Sequence, residues 1–152
     1  MTTSREATSQ PAPAKRAPNR VEVVWRGEHR FDAGRQGATA PRIRVDTDGA
    51  TGPGPVDTML AAIATCAATD VVDILAKRRT PVSAMSVEVV GTRVETIPRR
   101  LTHVLLRFRI QGAGIEREHA ERAIDLAVEK YCSVRSSLDP AIPVEWELEL
   151  AS

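Results

Sequence analysis

A long apolar segment in the middle of the chain constrains the fold more than any other feature. It runs from Met59 to Leu75 and follows a Gly-Pro-rich segment at residues 51–55. Four polar residues interrupt it, so we predict a buried helix rather than a membrane span. Because its apolar side chains occupy more than one face, other elements are expected to pack against several sides of this helix.

The ends of this helix follow from its prolines and charges. Pro55 suits the first turn, where a missing N–H is no loss, and the negative charge of Asp57 suits the helix dipole there. Basic residues at 77–79 suit the opposite end, and Pro81 forbids continuation. We therefore predict a helix from Pro55 to about Arg79.

Three short strands are predicted before the helix from alternating apolar and polar residues. The first has one strongly buried face in this prediction, and glycines at positions 34, 37 and 49 are expected in the loops. The predicted strands are Val21–Arg26, His29–Phe31 and Arg42–Val45.

After the helix, the pattern predicts a β-hairpin, a second and amphipathic helix, and a last strand. The order of elements indicates an α+β fold with antiparallel pairing. In chain order these segments are Met85–Glu95, Leu101–Gln111, Ile115–Tyr131 and Val144–Leu150.

Length and composition narrow the class of protein. A chain of 152 residues suits one domain, which we place at residues 20–152. Residues 1–19 have too few large apolar side chains to fold and are predicted to form a disordered tail. The net charge is +1, from 21 basic and 20 acidic residues. This balance argues against a nucleic-acid partner and against binding to an anionic membrane.

Cys66 and Cys132 are the candidate reactive residues. They are 66 positions apart, far outside a Cys-x-x-Cys spacing, and the three histidines lie on different elements, so no metal site is predicted. Because no secretory signal precedes the domain, we expect a cytoplasmic protein, in which a purely structural disulfide is disfavoured. Spacing alone leaves open that both cysteines are small core residues.

The residues around both cysteines resemble the OsmC/Ohr superfamily. One match covers Gly52–Cys66 and continues through Asp70–Leu75, and the other covers Glu129–Val134. The resemblance extends from about Val21 to Leu150. It implies the OsmC-like α+β fold, with antiparallel sheets around two central helices and an intertwined homodimer.

The resemblance also implies an activity, that of a thiol-dependent peroxidase acting on organic or inorganic hydroperoxides. Cys66 would be the peroxidatic residue and become a sulfenic acid, and Cys132 would resolve it to a disulfide. A dithiol reductant would regenerate both thiols, and a lipoylated protein is one candidate for it. No cofactor is implied, since sulfur carries the electrons.

A buried thiol needs a nearby cation or donor to become a thiolate. In the peroxidase branch of the family, an arginine from the N-terminal strands supplies it, fixed by a glutamate ten residues before the cysteine. Here that position is Val56, and Asp57 is turned about 100° away. The chain therefore resembles the broader OsmC branch more than the organic-hydroperoxide branch.

Several residues are candidates for activating the thiolate or lining the pocket. The arginine position is open among Arg30, Arg35 and Arg42. Two alternatives to the enzyme stay open as well, a non-catalytic module that binds a small ligand and a redox sensor of the same fold. The further pocket candidates are Asp57, Asp70 and Tyr131.

Overall fold

The computed structural model describes residues 14–151, which form two three-stranded sheets and a group of helices. This arrangement is the predicted α+β class. The first sheet, sheet 1, consists of β1 (Val21–Trp25), β2 (Arg30–Arg35) and β3 (Ile43–Asp46). The second sheet, sheet 2, consists of β4 (Ala84–Arg93), β5 (Leu101–Gln111) and β6 (Val144–Ala151).

The helical elements cover one face of sheet 2. The central helix α1 lies between the two sheets in sequence, and the others connect β5 to β6. They are α1 (Pro55–Lys77), α2 (Arg117–Leu126), a π-helical turn (Ala127–Tyr131) and α3 (Ser133–Ser136).

Both ends of α1 follow the prediction closely. The backbone N–H of Gly54 donates to the Asp57 carboxylate at 3.0 Å, which satisfies one free donor at the start of the helix. The helix ends at Lys77, two residues before the predicted end, because Arg79 adopts a left-handed φ of 64° that a helix cannot continue.

The core lies between α1, α2 and sheet 2. Alternate residues of β5 point inward and are fully buried. The inward face of α1 meets them with residues spaced three or four positions apart, which is one face of a helix. The principal contributors are Val104, Leu106, Phe108 and Ile110 from β5, and Ile63, Ala67, Val71 and Leu75 from α1.

Strand pairing differs from the prediction at β6. Three pairs are antiparallel, β1 with β2, β2 with β3, and β4 with β5. In contrast, β6 runs parallel to β5, from Val104 opposite Val144 to Gln111 opposite Ala151. A parallel pair needs a long crossover, and α2, the π turn and α3 provide it.

Sheet 1 corrects two further predictions. Gly34 was expected in a loop but lies within β2 opposite Glu22. A Cβ at Gly34 would stand 3.0 Å from the Arg42 side chain, so a glycine here allows that side chain to cross. The predicted buried face of β1 is solvent-exposed in the single chain, at 66% for Val21, 60% for Val23 and 64% for Trp25.

Sheet 1 leaves this face open because its helix contact is limited. It reaches α1 through β3, whereas α1 packs mainly against β4, α2 and the π turn. The predicted disordered tail stays a prediction: residues 1–13 lie outside the described residues, and residues 14–20 have no regular secondary structure.

By length and composition α1 could cross a membrane, a property that core helices of soluble proteins share. Its packing against sheet 2 and α2 agrees with the predicted buried helix. Only 33% of its most apolar stretch is buried in the single chain.

Candidate active site

Cys132 lies at the junction between the π turn and α3. Its backbone N–H donates to the Ala127 carbonyl at 2.9 Å, five residues back, which closes the π turn. The sulfur accepts a hydrogen bond from the backbone N–H of Arg135 at 3.3 Å, as an N-cap side chain does. The residue is 1% exposed, so it is enclosed by its neighbours.

The π turn determines which way Cys132 points. The sequence predicted one continuous helix to Tyr131, but α2 ends at Leu126. The backbone hydrogen bonds of the following turn span five residues instead of four, which makes it a π-helical turn. Ala127 and Val128 remain buried within the turn. Cys132 follows with extended backbone angles and faces α1, where its Sγ lies 3.9 Å from the carbonyl oxygen of Ile63.

Cys66 is half-buried in α1, one turn after Ile63. Both cysteines are free thiols. The Cys66 thiol lies close enough to Cys132 to contribute to the raised pKa of the Cys132 thiol. Two residues 66 positions apart in the chain are therefore neighbours in space.

The environment of Cys132 favours its neutral form. Burial is the main cause that raises the pKa of the Cys132 thiol, and the Cys66 thiol adds to it. The backbone N–H of Arg135 acts in the opposite direction but does not cancel the effect of burial. At neutral pH, Cys132 is consequently a thiol rather than a thiolate.

The three arginines predicted as activators all lie on or beside sheet 1. Arg30 forms an ion pair with Glu28, and Arg42 forms one with Glu22. Arg35 is the exposed last residue of β2. Since sheet 1 reaches α1 through β3, the single chain does not bring these side chains to the cysteines as closely as it brings α3.

The other three candidates occupy separate places. Asp57 caps the start of α1. Asp70 is half-buried one turn beyond Cys66 on the same helix. Tyr131 is the exposed last residue of the π turn, and the Lys130 ammonium lies 5.4 Å from its ring centroid. Of this set, Asp70 and Tyr131 are near the cysteines in sequence, and Asp57 is not.

A groove of about 370 Å³ runs between α1 and β4. Its lining is mainly apolar, with Leu60, Ala64 and Val87 among the lining residues and Asp57 as the carboxylate. Ala64 stands two positions before Cys66, so the two side chains point about 160° apart around the helix. The groove is therefore on the other side of α1 from the cysteines.

Sequence reasoning missed Arg135. Its backbone N–H contacts the Cys132 sulfur, and its side-chain Nε is buried. The signal available in the sequence was its position three residues after Cys132. The backbone N–H at that position donates to the side chain of an N-cap residue. That signal requires knowing that a helix restarts at Ser133, which the continuous-helix prediction did not include.

Residues 46–147 of this chain match the OsmC-like protein family. This match includes both cysteines, α1 and most of sheet 2. The chain belongs to the OsmC-like protein family. Among curated proteins, it is 35% identical over 119 residues to Protein YhfA of Escherichia coli strain K12, covering 76% of this chain and 89% of YhfA.

Solved structures confirm the OsmC-like fold. The OsmC-like protein of Mycoplasma pneumoniae superposes with a TM-score of 0.74 at 15% identity, over 90% of this chain and 99% of that one. The organic hydroperoxide resistance protein OhrB of Bacillus subtilis superposes with a TM-score of 0.58 at 14% identity, over 88% and 98%. In fold, the chain is thus more similar to the former than to the latter.

Proposed function

We propose that this OsmC-like protein is a thiol peroxidase that reduces hydroperoxides through Cys66 and Cys132. The observation that carries the proposal is the contact between two thiols that are remote in sequence, one half-buried and one buried. A pair of core cysteines has no need of this proximity, whereas a peroxidatic and a resolving cysteine require it.

The division of roles follows from access and ionisation. Cys66 is the more exposed thiol, so a hydroperoxide reaches it first. As a thiolate it attacks the terminal oxygen, the O–O bond breaks, and the alcohol or water leaves while Cys66 becomes a sulfenic acid. Cys132 then attacks that sulfur, releasing water and forming the disulfide. A dithiol reductant, such as a lipoylated protein, restores both thiols by exchange.

We further propose that the protein works as a homodimer in the cytoplasm. The apolar face of β1 and the exposed remainder of α1 are uncovered in the single chain, and a second copy of the chain would bury both. The proposed mechanism needs a dithiol reductant that is kept reduced. The cytoplasm is a reducing compartment, which supports this assignment.

The groove favours a second candidate function, a module that binds a small ligand. Its volume lies in the range of small-molecule sites, and its lining is apolar with one carboxylate, Asp57. Val56, at the position of the glutamate in the peroxidase branch, agrees with this alternative. A redox sensor would use the same cysteines but pass the disulfide to a partner.

The deciding experiment counts thiols after one equivalent of cumene hydroperoxide or of hydrogen peroxide. The wild type should lose two thiols and yield a Cys66–Cys132 cross-linked peptide on digestion. C66S should lose none, and C132S should stop at a sulfenic acid that over-oxidises with more peroxide. Unchanged thiol content in the wild type with both peroxides would refute the peroxidase proposal. Rapid oxidation without turnover by a dithiol would favour the sensor.

A further inference from the structure

Arg135 carries a buried guanidinium nitrogen that lacks an acceptor. Its Nε is shielded from solvent and has no hydrogen-bond partner among residues 14–151. Its backbone N–H already donates to the Cys132 sulfur at 3.3 Å. The residue lies in α3, which packs against α1, the helix that carries Cys66. The backbone of Arg135 is therefore held at Cys132, in a helix that packs against the one carrying Cys66.

An unpartnered buried N–H is costly, because the donor has lost its hydrogen bonds to water and gained none in return. A catalytic role is one reason for a native structure to keep such a donor. Both cysteines are free, and a thiol sulfur accepts hydrogen bonds weakly. Ionisation of Cys66 would create a strong anionic acceptor on α1, the helix against which α3 packs.

Within residues 14–151, two other arginines have an unpartnered buried nitrogen, but both already form ion pairs. Arg30 is paired with Glu28, and Arg42 is paired with Glu22, both at sheet 1. In contrast, Arg135 forms no ion pair within the described part of the chain. Its charge is available to a new anion.

The charges on the surrounding elements make a cation here more important. On α1, Asp70 is half-buried one turn after Cys66 and opposes a thiolate. On the π turn, Glu129 and Lys130 are exposed, and Lys130 lies over the Tyr131 ring. The buried side of α2 consists of apolar residues. Among these elements, the cation with a nitrogen shielded from solvent is Arg135, whose Nε is buried although the residue as a whole is half-buried.

We propose that Arg135 supplies the positive charge that stabilises the Cys66 thiolate. The guanidinium donates to the ionised Cys66 sulfur, while the backbone N–H of the same residue holds the Cys132 sulfur. Arg135 thereby takes the place that the resemblance gave to an arginine of the N-terminal strands. This proposal rests on the proposed function, because it concerns the same two cysteines.

The test measures the rate at which iodoacetamide alkylates Cys66 in the reduced protein as a function of pH, followed by peptide mass spectrometry. An opposite charge at a few ångströms lowers a pKa by about 1–3 units. R135Q should therefore shift the profile upward by at least about one unit, so that alkylation at low pH slows about tenfold. R135K, which keeps the charge, should restore most of the wild-type profile, and R122Q on the exposed side of α2 is the matched control.

An unchanged profile in folded R135Q would overturn the proposal. If R135Q does not fold, R30Q and R42Q decide, because each should leave the profile unchanged and an upward shift in either would assign the role to sheet 1 instead. Alkylation reports the thiolate whether or not peroxide is consumed. A shifted profile without peroxide reduction would refute the proposed function alone, and peroxide reduction with an unshifted R135Q profile would refute this inference alone.

Discussion

Oxidation of Cys66 and Cys132 to a disulfide should raise the stability of the protein substantially. The bond would join residues 66 positions apart. Closing a loop of that length lowers the conformational entropy of the unfolded chain, which raises the free energy of unfolding by about 4 kcal/mol. Loss of the hydrogen bond that the Cys132 sulfur accepts from Arg135 would offset about 1 kcal/mol of this gain. The net expectation is about 3 kcal/mol.

The assay is urea unfolding of reduced and oxidised protein at one fixed protein concentration. With an m value of about 2 kcal/mol/M, the midpoint should move up by about 1.5 M urea on oxidation. C66S treated with the same oxidant is the matched control and should show no increase. The fixed concentration matters because a dimer is stabilised by mass action.

An equal or lower midpoint for protein that demonstrably contains the Cys66–Cys132 cross-link would refute the reasoning. That result would mean that the bond strains α3 or the π turn by as much as it restricts the unfolded chain. An increase in C66S as large as that in the wild type would show that the gain comes from something other than the disulfide.

Three further predictions follow from single positions. F108A should lower the free energy of unfolding by about 3–5 kcal/mol, because Phe108 is fully buried in β5; a loss below about 1 kcal/mol in urea unfolding would contradict it. G112A should cost about 1–3 kcal/mol, because a Cβ at Gly112 would lie 2.5 Å from the Pro81 carbonyl oxygen, and wild-type stability would be inconsistent with this contact. Because burial raises the pKa of Cys132, the folded state keeps a proton that the unfolded state releases, so stability should fall as pH rises above the ordinary thiol value of about 8.5. C132A should show a smaller fall in unfolding experiments across that pH range, and an equal fall would locate the titration elsewhere.

The elements predicted best are those whose local sequence is compatible with only one type of secondary structure. The prediction gave β5 with its observed bounds, because its apolar residues alternate without a break. It also placed the start of α1 at Pro55, where a proline follows a Gly-Pro-rich segment. By contrast, β2 is longer than predicted and includes Gly34. The local sequence pattern indicates a loop there, but pairing with β1 and β3 keeps the segment extended.

The surroundings of the cysteines were less accessible from sequence. The family resemblance selected Cys66 and Cys132, but their contact depends on where the second helix changes its hydrogen-bond pattern. Helical periodicity cannot reveal that change, since one wider turn alters few apolar positions. Arg135 was missed for the same reason, because its contact exists only if a new helical turn starts after Cys132.

The π turn makes this site sensitive to chain length as well as to residue identity. It holds one residue more than an α-helix needs over the same rise, and Cys132 directly follows it. Deleting one residue between Ala127 and Tyr131 would restore a regular α-helix and rotate the following residue by about 100°. A lineage that lost that residue would still carry both cysteines in its sequence, yet the two sulfurs would no longer meet.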